Sequence, residues 1–190
     1  EGIVLTYDPN HCYTQLMIES YREYWPEHSF TFRVPYNKEV PDWDYDEVEF
    51  VQTGAHYQDT INGLLEGIDD DEYIYWANDD RYLRKRVSHK TLGEVIDFVD
   101  VAPEWLDVVK LTAHEGVGQG NFLFTLGGIN FHKQVSHKAR GFWMHHFMRA
   151  GVLKKRFNYN LRRGYPLMAV TAKIIRDDPE EKSIMPERSV

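Results

Sequence analysis

The most chemically pointed residues of this chain are Asp79 and Asp80, adjacent carboxylates that stand beside Asn78 just after the apolar run Tyr73-Ile74-Tyr75-Trp76. Such a pair at a strand end offers what a hard divalent cation, magnesium or manganese, requires: oxygen ligands, negative charge, and coordination positions left over for water and substrate phosphates. The same residues could serve as a solvated surface turn, or Asp80 could cap the segment that follows. A second acid, Glu115 in Ala113-His114-Glu115-Gly116, lies between a strand pattern and the glycines Gly116, Gly118 and Gly120. A carboxylate so placed can reach a ligand held at the loop; a solvated loop acid is the alternative. Three histidines of the later part of the chain differ in their surroundings. His146 shares a helical arc with Phe142 and Phe147, which fits a core position, His145 lies on the rim and is freer to act, and His132 has no such context.

Charge is distributed unevenly. Residues 1–80 hold 3 Lys/Arg against 19 Asp/Glu, whereas residues 81–190 hold 19 Lys/Arg against 11 Asp/Glu. Between Asn121 and Arg176 there is no acid at all, but 11 Lys/Arg and four of the nine His. Docking of the basic half on the acidic half accounts for this pattern as well as an anionic ligand does. Within the segment, Lys154-Lys155-Arg156 and Arg162-Arg163 interleave with Phe157, Tyr159 and Tyr165. Arginine forks suit phosphate oxygens, and cations mixed with rings also suit nucleic acid. A non-catalytic nucleotide or nucleic-acid binding module built on residues 121–176 is therefore the competing reading.

Other classes find no support. No Gly-x-Gly-x-x-Gly follows a strand, no Gly-x-x-x-x-Gly-Lys-Ser/Thr loop exists, and no Cys/His spacing fits zinc. Cys12 is the single cysteine, so no internal disulfide framework forms, and a reducing compartment is favoured. No apolar stretch approaches the roughly 20 residues of a membrane helix. The first residues run at once into Ile3-Val4-Leu5-Thr6 with no charged and apolar leader, so a cytoplasmic location is expected.

The elements that must position these residues follow from periodicity. Ile3–Thr6 reads as a buried strand, and Tyr7-Asp8-Pro9-Asn10 as a loop into a helix marked by Leu16, Met17, Tyr21 and Tyr24 and stopped at Trp25-Pro26. Phe30–Val34, Val48–Val51 and Tyr73–Trp76 are further strands, with Pro35-Tyr36-Asn37 closing the first of them. Ile61, Leu64, Leu65 and Ile68 fit a second helix, and Thr91-Leu92-Gly93-Glu94 has capping-box spacing ahead of the stripe Leu92, Val95, Ile96 and Val99. Val108–Ala113, Phe122–Ile129 and Leu167–Ile175 are later strand candidates. Ser136–Ala150 is expected to be a helix capped by Gly151, and residues after Arg176 a frayed tail. Alternating strands and helices in the first hundred residues predict a mostly parallel sheet covered on both faces, with ligand at the carboxyl ends of its strands. One domain is expected over residues 1–176, with a nucleotide-binding half (1–110) and an acceptor-side half (111–176), followed by the tail 177–190.

The block Gln58–Leu83 resembles the GT-A class of nucleotide-sugar glycosyltransferases. The likeness rests on Asn62-Gly63-Leu64-Leu65, the acidic Asp69-Asp70-Asp71-Glu72, the strand Tyr73–Trp76, and Asn78-Asp79-Asp80-Arg81-Tyr82-Leu83, with Leu5-Thr6-Tyr7-Asp8 matching the first strand and loop. It implies a three-layer α/β fold and a transferase whose donor is a nucleoside diphosphate sugar. Thr6, Tyr7, Asp8, Asn78, Asp79 and Arg81 would bind that donor, and Asp79 and Asp80, joined by His145, would hold the manganese or magnesium. The acceptor is unassigned, an anionic glycan being one candidate. Asn78 departs from the family pattern, standing where many members carry an acid. With no acid in 121–176, an inverting reaction would need Glu115 or a histidine as base, whereas a retaining one needs none.

Overall fold

The computed structural model describes residues 1–112, 119–134, 145–158 and 183–186. These build strands β1 (Gly2–Leu5), β2 (Phe32–Tyr36), β3 (Val48–Gln52), β4 (Tyr73–Asn78), β5 (Val108–Lys110), β6 (Gln119–Leu126), β7 (Ile129–Gln134), β8 (His146–Arg149) and β9 (Ser183–Pro186). The helices are α1 (His11–Tyr24), α2 (Tyr57–Leu64), α3 (His89–Asp100) and α4 (Ala150–Asn158). All nine strands join one sheet in the order β3-β2-β1-β4-β8-β5-β9-β7-β6. The pairings orient seven of these nine one way, with β7 and β8 opposed, which is the mostly parallel mixed sheet expected.

Side-chain alternation splits the core into two halves, one on each sheet face. Val4, Phe32, Tyr75, Ala77 and Phe147 pack against Met17, Ile18 and Tyr21 of α1 and Leu92 and Val95 of α3. Ile3, Ile74, Trp76 and Met148 pack on the opposite face against Ile61 and Leu64 of α2 and Leu153 and Phe157 of α4. Each such aliphatic side chain gains roughly 1.5–3 kcal/mol by leaving water, so helices form where their apolar stripes meet a strand face. Helix α1 ends at Tyr24 because Pro26 cannot continue the amide ladder. Pro35 lies inside β2 and does not close it. The β1–β2 ladder runs only to Ile3–Arg33, and beyond it the Pro35 carbonyl meets the His11 ring at 2.9 Å, so the missing N–H faces a side with no strand partner.

Several expectations are corrected. Residues 146–149 of the expected Ser136–Ala150 helix form strand β8, inserted antiparallel between β4 and β5; residues 135–144 lie outside the described residues. Gly151 stands in the first turn of α4, where its amide donates to the Asp70 carbonyl at 2.9 Å. Alternation and helical periodicity are hard to separate over four residues, and Phe147 and Met148 serve opposite faces as a strand requires. Ser183–Pro186, expected in a frayed tail, is a buried strand between β5 and β7. Phe122–Ile129 is no single strand but a hairpin, turning at Gly127 and Gly128 with φ of 55° and 77°, a left-handed pair that glycine alone adopts freely. The cap of α3 is Ser88, whose Oγ accepts from the Thr91 amide at 3.3 Å. Thr91 and Glu94 instead grip the hairpin turn, through the Gly127 carbonyl at 3.2 Å and the Gly127 amide at 2.6 Å.

The acidic and basic parts of the chain meet directly. Lys154 pairs with Asp70 at 2.8 Å, and Arg149 donates to the Asp71 carbonyl at 2.6 Å and the Leu106 carbonyl at 2.9 Å. Arg162, Arg163, Tyr159, Tyr165 and the expected strand Leu167–Ile175 lie outside the described residues.

Candidate functional site

Strand order places the site. From β1 the chain steps outward to β2 and β3, then crosses back to put β4 on the other side of β1, so the connections diverge at the carboxyl ends of β1 and β4. A crevice opens where loops leave a parallel sheet in opposite directions. Here it has a volume of about 570 Å³, and β1 to β4 all contribute to its wall, directly or through the residues that follow them. Thr6 and Tyr7 come from the end of β1, Asn37 from β2, Ala55 and Tyr57 from beyond β3, and Asn78, Asp79 and Asp80 from β4.

Asp79 is held from both sides. Thr6 Oγ1 donates to its Oδ2 at 3.0 Å, Asn10 Nδ2 donates to the same oxygen at 2.8 Å, and Thr14 Oγ1 backs Thr6 at 2.8 Å. This relay fixes the rotation of the carboxylate. Burial raises the Asp79 pKa and the neighbouring Asp80 charge adds to that, against the opposing Asn10 and Thr6 hydrogen bonds. A half-buried carboxylate with a second one beside it is an environment that a cation would relieve. Asp80 is exposed, with its Oδ1 at 3.6 Å from Arg81 Nε. Among the described residues no group of three or more His, Cys, Asp or Glu gathers as a ligand set. Two carboxylates with the remaining positions left to water and phosphate is nevertheless an ordinary magnesium arrangement, so the pair fits such an ion.

The other expected site residues are dispersed. Asp8 turns away from the crevice, and its carboxylate accepts from the Asn37 and Lys38 amides at 2.8 and 3.0 Å. Burial pushes its pKa up, but those amides outweigh it and hold the carboxyl below its usual range. Its task is to tie the β1 loop to the end of β2. Arg81 lies on the wall of a different cavity. His145 Nδ1 meets the Tyr21 hydroxyl at 2.5 Å and the Tyr75 hydroxyl at 2.7 Å, and the ring also hydrogen-bonds the Arg81 backbone. It braces the turn after Asp80 and does not join the two aspartates in a ligand set. His146 is buried in β8, and His132 sits on β7, four strands from β4. Glu115 lies outside the described residues.

Burial lowers the His145 pKa from 6.5 to about 4. Folding therefore excludes a proton that the unfolded chain accepts, so stability is complete above pH 6.5 and declines as pH falls from there toward 4. Replacing His145 by glutamine should flatten that interval. Urea midpoints at pH 7 and 4.5 would show a smaller drop in His145→Gln than in the parent, and an equal drop would contradict the buried neutral imidazole.

Asn10 and Asn37 carry roles that pattern reading assigned only to loop and strand-end chemistry. The available signal was position, since both are amide side chains just past the carboxyl end of a parallel strand.

Comparison with known proteins speaks to the fold. No protein-family model matches the sequence, and no curated protein matches it. Among solved structures, the 2-C-methyl-D-erythritol 4-phosphate cytidylyltransferase of Francisella tularensis superposes with TM-score 0.53 at 12% identity, over 99% of this chain and 91% of that one. A 4-diphosphocytidyl-2C-methyl-D-erythritol synthase gives 0.50 at 14%, over 97% and 87%. LgtC gives 0.46 at 10%, over 92% and 63%, too loose a superposition to bear on the fold. The chain thus has the nucleotide-diphospho-sugar transferase-like α/β fold. No helix among the described residues is long and apolar enough to cross a membrane.

Proposed function

We propose that this chain is a divalent-metal-dependent transferase whose donor is a nucleoside diphosphate sugar. The observation that carries the reading is the Asp79–Asp80 pair in the crevice where the β1 and β4 connections diverge. Ligand clefts of roughly 300–1,000 Å³ suit molecules of nucleotide size. Asp79, rotated into place by Thr6 and Asn10, and Asp80 would hold manganese or magnesium. When bound, that ion would neutralise the diphosphate and stabilise it as a leaving group. Tyr7 and Tyr57 offer ring surfaces for a base, and Asn37 and Asn78 offer amides for a ribose.

The cytidylyltransferases among the structural neighbours favour a second reading, transfer of a nucleotidyl group from a nucleoside triphosphate to a sugar phosphate. It would use the same carboxylates. A nucleic-acid module draws less support, because Lys154 is engaged with Asp70 and the Ile68 carbonyl, and Lys155 and Arg156 also have partners.

Titration calorimetry with UDP plus manganese, and separately with CTP plus magnesium, tests the proposal. Binding of UDP that requires manganese is the expected result. Tighter, magnesium-dependent binding of CTP would move the assignment to nucleotidyl transfer. Metal-indifferent binding, or none, would overturn both readings.

A further inference from the structure

A second cavity, of about 720 Å³, opens on the far side of the turn that carries the two aspartates. Asp80 belongs to the crevice and Arg81, the next residue, to this cavity, so one turn separates them. Its outer wall is the segment 81–88. That wall is fixed in place, since the Leu83 amide donates to Ser20 Oγ at 3.0 Å and the Val87 amide to the Tyr24 carbonyl at 2.9 Å, both on α1.

Two chemistries meet there. Trp25, Leu92, Leu111 and Ile129 form an apolar floor, each of them buried in the core on its other side. Arg81, Arg84, Lys85 and Arg86 line the rim, and no acid lines the cavity among the described residues. Two of these cations have carboxylate neighbours: Arg86 contacts Glu27 at 2.8 Å and Arg81 contacts Asp80 at 3.6 Å. Arg84 and Lys85 have no ion-pair partner among the described residues. On the wall, Trp25 Nε1 and Thr112 Oγ1 are buried without a hydrogen-bond partner among the described residues, which a ligand could supply. Arg81, Arg84, Lys85 and Arg86 fall within six residues of sequence, and the mutual repulsion of like charges so close together is relieved by a bound anion.

We propose that this cavity is the acceptor site and that it takes an anionic amphiphile: an apolar body on the Trp25–Leu111 floor, with a phosphate or carboxylate held by Arg84 and Lys85. Calling the ligand an acceptor rests on the transferase reading; the binding chemistry does not. Arginine and lysine side by side suit an oxyanion headgroup, and the floor supplies an affinity that a bare anion could not exploit.

Octyl phosphate, kept below its micelle threshold, is the probe, with octyl glucoside (same tail, no charge) and inorganic phosphate (charge, no tail) as controls. Calorimetry should show octyl phosphate binding more tightly than either control by about tenfold or more. The double variant Arg84→Glu, Lys85→Glu should lose at least about tenfold of that affinity, because both sites are exposed and only the anion contact is reversed. UDP binding with manganese should be unchanged in the same variant, which also establishes that it folds. Absence of octyl phosphate binding, an unaltered affinity in the double variant, or inorganic phosphate binding as tightly would overturn the proposal. Failure of UDP to bind the parent protein would instead remove the donor reading and leave the amphiphile site standing.

Discussion

On the proposed function, Asp80→Asn is expected to remove metal-dependent nucleotide binding and to lower transfer by about a hundredfold or more, while the melting temperature stays within about 2 °C of the parent. The asymmetry follows from where the side chain sits. Asp80 is exposed, and its one ion-pair contact among the described residues is with Arg81 at 3.6 Å, a surface pair worth well under about 1 kcal/mol. Asparagine keeps the shape but halves the charge that the aspartate pair offers a cation. Because Asn78 already stands where a third acid could be, the site has little charge to lose. Calorimetry with UDP and manganese, paired with a thermal scan, checks both halves. Unchanged binding or turnover in the variant would remove the metal from the proposal.

Trp76→Ala is expected to give the opposite outcome, a loss of roughly 3–5 kcal/mol of stability with the proposed nucleotide binding retained at low temperature. Trp76 is fully buried on β4 two residues before Asn78, facing α2 and α4, and its ring lies 6.1 Å from that of Phe157. Truncation would leave a void under two helices at once. For a chain of 190 residues that loss corresponds to a melting temperature lower by about 10 °C. Since Trp76 points to the opposite face from Tyr75 and Ala77, the Asp79 relay of Thr6, Asn10 and Thr14 is not directly touched. Urea melts and calorimetry at 10 °C would separate the two effects. A parent-like melt would show that the β4–α4 packing contributes less than its burial implies.

The first half of this fold was legible because its strands are separated by helices whose apolar stripes are unambiguous, as with Ile61 and Leu64 in α2 or Leu92 and Val95 in α3. Parallel neighbours need such crossovers, so periodicity and connectivity agree. The second half was less so, because β5, β8 and β9 are only three or four residues long and its strands pair antiparallel or at a distance in sequence. Four residues of β8 carry too few periods to tell strand from helix, and Ser183–Pro186 has a strand's burial without a strand's alternation of apolar and polar residues. The crevice was legible as a place, through Thr6, Tyr7, Asn78, Asp79 and Asp80. Its internal geometry was not. That Asp8 would turn to the Asn37 and Lys38 amides, that Arg81 would face another cavity, and that His145 would be held by Tyr21 and Tyr75 depend on contacts between residues far apart in the chain.

Strand β8 has one more consequence, for the order in which the molecule can be made. On the ribosome, β1 to β5 emerge well before residues 146–149, yet β4 and β5 touch only through the strand that arrives later. Until then the strand bearing the aspartates exposes a row of unpaired amides and carbonyls, the kind of template on which nascent chains associate. The crevice is thus laid down early, and its neighbouring edge is sealed only when β8 threads into the gap.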